Sequence, residues 1–153
     1  MEAEAPKVMT TTGSVRGTTV SHGVSRFLGI PYAAPPLGLG RFRAPRAHPG
    51  WLGTREADRY GDSSLQRVGP AGGGPLGRPA GVGTSEDCLV LNVWSPDLDG
   101  SAPVMVWLHG GGYSVGTASS PLYDGTNLAG RNDVVVVSVN HRLGLAGFMD
   151  VSR

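Results

Sequence analysis

Three successive glycines, Gly110 to Gly112, follow five apolar residues and one histidine in this 153-residue chain. Glycine has no Cβ, so the backbone can adopt positive φ there and leave its N–H groups open to an anion. N–H groups arranged in this way stabilise the negatively charged tetrahedral oxygen of an acyl-transfer reaction. An ordinary glycine turn after a strand is the alternative. The order of apolar strand, histidine, three glycines and Tyr113 favours an oxyanion site with Gly111 and Gly112 as its donors.

The residues that flank these two glycines have separate predicted roles. His109 lies at the end of the apolar run, and this position favours a role in orienting the turn over one in transferring protons. Gly110 and Tyr113 stand on either side of the two donors. We therefore predict that Gly110 and Tyr113 contact the substrate.

A second motif overlaps the first. Residues 112–116 match Gly-x-Ser-x-Gly, the pattern of a nucleophile elbow centred on Ser114. An elbow needs a helix directly after the serine, because the helix N-terminus helps to stabilise the oxyanion. Residues 115–121 are poor helix formers, and the same glycines would have to serve both motifs. We therefore do not assign the nucleophile to Ser114, nor to Ser120, which precedes a proline.

The other candidates for chemistry carry weaker signals. Residues 72–77 match Gly-x-Gly-x-x-Gly, but they neither follow a strand nor open a helix, so dinucleotide binding is not predicted. Cys88, the only cysteine, is interpreted as a small buried hydrophobe. The sequence has no metal-ligand spacing, and we predict neither a cofactor nor a metal ion. The remaining histidines are interpreted as surface or packing residues: His22, His48 and His141.

Composition argues against several classes of partner. Thirteen basic and twelve acidic side chains leave a formal net charge of +1, too weak a field to attract nucleic acid or acidic lipid. No apolar segment approaches the roughly 20 residues that a membrane span requires. The acidic N-terminus resembles neither a secretory signal nor a transit peptide. One cysteine cannot form an intrachain disulfide. We therefore expect a cytoplasmic protein that binds neither nucleic acid nor membranes.

The residue patterns predict an α/β protein whose sheet begins with an antiparallel ribbon. Residues 8–12 and 14–20 are rich in threonine and valine, which is typical of a β-hairpin. Residues 25–30 and 88–94 have the composition of two further strands. Glycine and proline dominate residues 67–83, which predicts a surface loop.

Two continuous apolar runs, Val104–Leu108 and 134–139, are typical of strands buried on both faces of a mostly parallel sheet. The crossover between them contains one short helix, which we predict from an N-cap at Asp124 to Gly130. One short helix cannot cover both faces of a sheet. We therefore expect the covering helices to lie beyond Arg153; the alternative is a complete small domain with an unusual cover.

Four segments together resemble the type-B carboxylesterases, the family that includes cholinesterases and bacterial para-nitrobenzyl esterases. The resemblance covers nearly all of residues 8–148. It implies the N-terminal part of an α/β-hydrolase fold with a mixed sheet. The segments are residues 27–33 (FLGIPYA) with Pro35, Pro36, Arg41 and Phe42 after them, 85–93 (SEDCLVLNV), the glycine loop, and 137–144 (VSVNHRLG).

The resemblance assigns roles to particular residues. In that family the second and third glycines of the loop are the oxyanion donors, which again points to Gly111 and Gly112. An arginine and a glutamate of the family's motifs pair, which implies a buried structural ion pair between Arg41 and Glu86. Many members have a disulfide at the cysteine that corresponds to Cys88. Since residues 61–66 contain no cysteine, we expect a free thiol.

The resemblance also implies that the chain lacks its nucleophile. The serine of the family lies in a Gly-Glu-Ser-Ala-Gly elbow downstream of the last matching segment, and the acidic residue and histidine of the triad come later still. Residues 1–153 are therefore predicted to be an incomplete α/β-hydrolase domain, truncated before the elbow. It contributes the oxyanion loop of a serine carboxylic ester hydrolase, whose substrate is a small-molecule ester, and is inactive alone. The alternatives are a non-catalytic cholinesterase-like binding module and an unstable truncated gene product.

Overall fold

A computed structural model describes residues 4–67 and 77–149. These residues form ten strands and two short α-helices. The strands are β1 (Lys7–Thr10), β2 (Gly13–Arg16), β3 (Thr18–Thr19), β4 (Ser25–Pro31), β5 (Thr54–Glu56), β6 (Ser63–Ser64), β7 (Thr84–Ser85), β8 (Val90–Ser95), β9 (Val104–Leu108) and β10 (Val135–Val139). The α-helices are α1 (Thr126–Asn132) and α2 (Gly144–Phe148), and 3₁₀ turns span Ser21–Gly23, Gly38–Gly40 and Pro121–Tyr123.

The central sheet has five strands in the order β3-β4-β8-β10-β9. The pair β9–β10 is parallel, with Val137 opposite Val106. The other three pairs, β3–β4, β4–β8 and β8–β10, are antiparallel. The mixed sheet of the predicted fold class is therefore confirmed, whereas the expectation of a mostly parallel sheet is wrong. An apolar run indicates that a strand is buried, but burial alone does not determine whether the strand runs parallel or antiparallel to its neighbours.

The predicted N-terminal ribbon is confirmed. Strands β1 and β2 pair antiparallel, with Val8 opposite Val15, and β5 adds to β2 in parallel. Val15, Phe27 and Ala57 are buried together and join the ribbon to the central sheet. The indole N–H of Trp51 donates to the carbonyl of Ser14 over 2.8 Å, which ties the segment before β5 to the same unit.

Helix α1 covers one face of the central sheet. Its Ala129 packs with Trp94 of β8 and Val136 of β10, all buried. The helix begins at Thr126 after Gly125, whose own backbone is helical, and a Cβ at residue 125 would lie 2.8 Å from Val136 and 3.0 Å from Trp94. The Asp124 carboxylate accepts a hydrogen bond from the Thr126 N–H over 2.9 Å, so Asp124 caps this end of the helix as predicted. The helix also continues past the predicted end at residue 130, to Asn132.

Strand β9 is exposed, which corrects the expectation that it is buried on both faces. It is the outer strand of the central sheet in the described part of the chain. Val104, Val106 and Leu108 point to one face and remain 62%, 58% and 65% exposed. The continuous apolar run therefore matches a strand made for burial, but the described residues leave that face of β9 uncovered.

We expect this exposed face to bind apolar dyes. The fluorescence of anilinonaphthalene sulfonate should rise strongly when the chain is added. Val106→Lys should reduce this rise, because a charge in a contiguous apolar patch weakens the binding of an apolar dye. Leu52→Lys is the matched control, since Leu52 is also exposed but lies outside the sheet. Equal dye binding by both variants would contradict the assignment of the patch to β9.

The predicted Gly/Pro-rich loop is described only in part. Residues 68–76 of it, and with them most of the Gly-x-Gly-x-x-Gly match, lie outside the described residues. Arg67 and residues 77–83 have no helix or strand and are exposed or half-buried. Across residues 4–67 and 77–149, no helix has the length and apolarity needed to cross a bilayer.

Candidate active site

The three glycines form a tight loop directly after β9. Gly111 and Gly112 have φ values of +134° and +59°, and Tyr113 follows at +62°. A Cβ at Gly111 would overlap the carbonyl oxygen of Val115, because the backbone folds back on itself there. Within the described residues no hydrogen bond has the N–H of Gly111 or Gly112 as its donor. Two neighbouring donors are thus left for a ligand.

The loop forms one wall of an open cavity of about 580 Å³. Apolar and aromatic side chains supply most of the remaining wall. Gly110 and Tyr113, the two residues predicted to contact substrate, also line it. The lining residues are Leu108, His109, Gly110, Gly111, Gly112, Tyr113, Val115, His141, Leu143 and Phe148. The two glycines therefore line a space that suits an apolar small molecule.

His109 lies beneath the loop as a buried residue. Its ring stacks on that of His141, with centroids 4.4 Å apart and an interplanar angle of 12°. Its Nδ1 is 3.0 Å from the carbonyl oxygen of Gly110. Burial lowers the pKa of His109 below its ordinary value. A neutral ring that packs against its own loop suits the predicted orienting role.

This burial makes the stability of the chain pH-dependent. Because the pKa of His109 is lower in the folded chain, the unfolded chain binds the proton first as pH falls below about 6.5. The melting temperature should therefore decrease between about pH 7.5 and about pH 5.5, and His109→Asn should flatten that part of the curve. Scanning calorimetry of both chains measures this, and parallel curves would contradict it.

Tyr113 is held in place by the segment around α2. Its carbonyl oxygen accepts a hydrogen bond from the Gly144 N–H over 2.7 Å. Its ring meets the ring of Phe148 edge to face, with centroids 4.7 Å apart. For a residue with a side chain, a φ of +62° is strained. These contacts fix Tyr113 in that conformation at the mouth of the cavity.

A buried polar network supports the chain just after the loop. The Oδ1 of Asn140 accepts a hydrogen bond from the Ala118 N–H over 2.7 Å, and its Nδ2 donates to the Asp62 carbonyl over 3.1 Å. The Ser63 hydroxyl donates to Thr117 Oγ1 over 2.7 Å. Groups buried this deeply are costly unless they are paired. The network therefore fixes residues 117–118 relative to the sheet.

Comparison with known proteins identifies the family. A model of the carboxylesterase family matches residues 4–153. The chain belongs to the carboxylesterase family. It is 46% identical over 145 residues to the phenmedipham hydrolase of Pseudarthrobacter oxydans, covering 94% of this chain and 29% of that enzyme. It is 44% identical over 146 residues to the para-nitrobenzyl esterase of Bacillus subtilis (strain 168), covering 95% and 29%.

Solved structures give the same result for this carboxylesterase-family chain. A PNB esterase structure superposes with a TM-score of 0.87 at 44% identity, covering 97% of this chain and 30% of that one. The resemblance to the type-B carboxylesterases and the predicted α/β-hydrolase fold are therefore confirmed. The chain spans less than a third of the length of these relatives.

Neither Ser114 nor Ser120 lies in a nucleophile elbow. Ser114 is in a turn, where its hydroxyl donates to the Gly112 carbonyl over 3.1 Å. In the described residues no imidazole is hydrogen bonded to it. Ser120 is buried, and its Oγ accepts the Leu122 N–H over 3.3 Å at the start of a 3₁₀ turn. Neither serine is followed directly by an α-helix, as an elbow requires.

Arg41 and Glu86 form a bidentate ion pair, with Nε–Oε1 at 2.6 Å and Nη2–Oε2 at 2.5 Å. The pair is not buried as the resemblance implied, because 54% of the Arg41 side chain is exposed. Hydrogen bonding to Arg41 lowers the pKa of Glu86. Nearby, Cys88 is a buried free thiol whose pKa is raised by burial. The pair joins the segment after β4 to the segment before β8 and lies apart from the glycine loop.

Three residues that the sequence did not single out contact the loop or the chain just after it. Gln66 and Asn140 contact the backbone at residues 116 and 118, and Phe148 packs on Tyr113. Gln66 lies 50 positions before its partner, so no local spacing indicates the contact.

His22 is exposed and the Nδ1 of His48 accepts the Gly50 N–H, so both remain surface or packing residues. The described residues hold no group of three His, Cys, Asp or Glu side chains suited to a metal ion.

Proposed function

We propose that the chain supplies the oxyanion hole and part of the acyl pocket of a serine carboxylic ester hydrolase. The proposal rests on the N–H groups of Gly111 and Gly112, which make no hydrogen bond within the described residues and belong to a loop that lines a mainly apolar cavity. The family and the name of one relative, para-nitrobenzyl esterase, support a small-molecule ester as the substrate.

The loop would act on the charge that develops during acyl transfer. When a nucleophile adds to the ester carbonyl, the carbonyl oxygen becomes an oxyanion. The N–H groups of Gly111 and Gly112 would donate to it, while Gly110 and Tyr113 contact the rest of the substrate. Because the backbone is already fixed in its positive-φ conformation, the donors need no reorganisation during the reaction. The chain's role requires no cofactor and no metal ion.

In this proposed enzyme the serine nucleophile, its histidine and its acid lie outside residues 1–153. The 153-residue chain alone should therefore be inactive, because the covalent route needs the nucleophile and its base. The proposal also places the protein in the cytoplasm, with which the free Cys88 thiol is compatible. An activity-based fluorophosphonate probe should not label the chain. Stoichiometric labelling at Ser114 would overturn this part of the proposal.

A chimera tests the function directly. Residues 4–153 of this chain would replace the matching part of the Bacillus subtilis para-nitrobenzyl esterase, whose remaining part supplies the rest of the fold. We expect this esterase chimera to hydrolyse para-nitrobenzyl esters and to be labelled by a fluorophosphonate outside the grafted residues. A folded chimera that turns over no ester would contradict the proposed oxyanion role.

A further inference from the structure

The side-chain amide of Gln66 pairs with the backbone of Gly116. The Gly116 N–H donates to Gln66 Oε1 over 2.9 Å, and Gln66 Nε2 donates to the Gly116 carbonyl over 2.8 Å. Nε2 also donates to the Ser64 carbonyl over 3.1 Å. One amide thus satisfies both polar groups of a single residue and anchors them to the segment after β6.

Gly116 lies directly against the start of the glycine loop. Its φ is +118°, and a Cβ there would overlap the carbonyl oxygen of Gly110 and meet Nδ1 of His109. The Val115 N–H closes the loop by donating to the Gly111 carbonyl over 3.2 Å. Any shift of Gly116 therefore moves the peptide groups that carry the two candidate donors.

We propose that Gln66 is a positioning residue for the oxyanion loop, acting through Gly116 without touching the substrate. This inference rests on the proposed function. Gly116 is buried, so its N–H and carbonyl groups need partners from the protein. A glutamine amide presents one donor and one acceptor to them in a single plane. A carboxylate can accept from the N–H but cannot donate to the carbonyl, and an apolar side chain can do neither.

Amide hydrogen exchange on the chain itself tests the pairing of Gln66 with Gly116 and needs no measurement of enzyme activity. In the parent chain the Gly116 amide should be protected. Gln66→Met, of similar length, should reduce this protection about tenfold or more, because both bonds are lost. Gln66→Glu should lose less protection than Gln66→Met near neutral pH, because its carboxylate still accepts from the Gly116 N–H, and should recover the rest in mild acid, since a protonated carboxyl both donates and accepts. Leu65→Ala, at the exposed neighbouring position, is the control and should leave protection unchanged.

The esterase chimera then tests the consequence. Gln66→Met should lower kcat about tenfold or more with little change in KM, because misplaced donors weaken transition-state stabilisation. An unprotected Gly116 amide in the parent chain, or equal protection in Gln66→Met, would overturn the proposal. Lost protection with an unchanged kcat would overturn it too. An inactive parent chimera would count against the proposed function only. Amide exchange alone would then decide whether Gln66 holds Gly116 in place.

Discussion

Gly111→Ala should abolish most of the ester hydrolysis of the esterase chimera. The new Cβ would overlap the Val115 carbonyl oxygen, a backbone atom that cannot move without opening the loop. The φ of +134° is in any case one that side chains rarely adopt. Since removal of one oxyanion donor costs about 100- to 1,000-fold in kcat, a displaced loop should cost at least about 100-fold. Steady-state kinetics measures the loss.

Gly40→Ala is the matched control, at a residue that does not line the cavity. A Cβ at residue 40 meets only Nη2 of Arg46 at 3.7 Å and the Pro35 carbonyl oxygen at 4.0 Å, and its φ is not positive. Activity should therefore stay within about threefold of the parent, since an unstrained surface change is usually small. Gly112→Ala should fall between the two, because its Cβ has free space but its φ of +59° costs about 1–2 kcal/mol. Equal losses at residues 40 and 111 would show that the backbone argument is wrong.

Circular dichroism and the melting temperature separate a catalytic defect from a folding defect in these variants. A Gly111→Ala chimera that keeps its circular dichroism and melting temperature, yet loses turnover, would locate the defect in the loop. Full activity in a folded Gly111→Ala chimera would remove the main support for Gly111 as a donor.

The glycine loop was predictable from the sequence because its requirements are local. Three glycines after an apolar run dictate a backbone that only glycine tolerates, and the structure places Gly111 in that conformation. The strands β4, β8, β9 and β10 were predictable for the same reason, since each is a short apolar segment with a clear end. Helix α1 was predicted in place with Asp124 capping its start, but it ends at Asn132 and not at Gly130.

The support of the loop was not predictable, because its contacts are non-local. Gln66 meets Gly116 across 50 positions and Asn140 meets Asp62 across 78. A glutamine or an asparagine in a loop is usually solvated, so residue type alone favours the wrong interpretation. The exposure of β9 was missed for a different reason. Its sequence encodes burial, whereas exposure depends on which other elements are present to cover it.

Asn140→Leu should destabilise the chain by about 3 kcal/mol. Leucine is close to asparagine in size, but it leaves the buried Ala118 N–H and the Asp62 carbonyl without the partners that Asn140 provides. Each buried group that loses its partner costs about 1–3 kcal/mol. Urea unfolding of the 153-residue chain, followed by far-ultraviolet circular dichroism, measures the change in the free energy of unfolding.

Asn132→Leu provides the control for this prediction. Asn132 is exposed at the end of α1, where its Nδ2 donates to the Leu128 carbonyl within the same helix. The same chemical change there should alter the free energy of unfolding by less than about 0.5 kcal/mol. In the esterase chimera, Asn140→Leu should also lower kcat, because residues 117–118 follow directly on the loop that carries the donors. Equal destabilisation at residues 132 and 140 would mean that the buried network does not fix this segment.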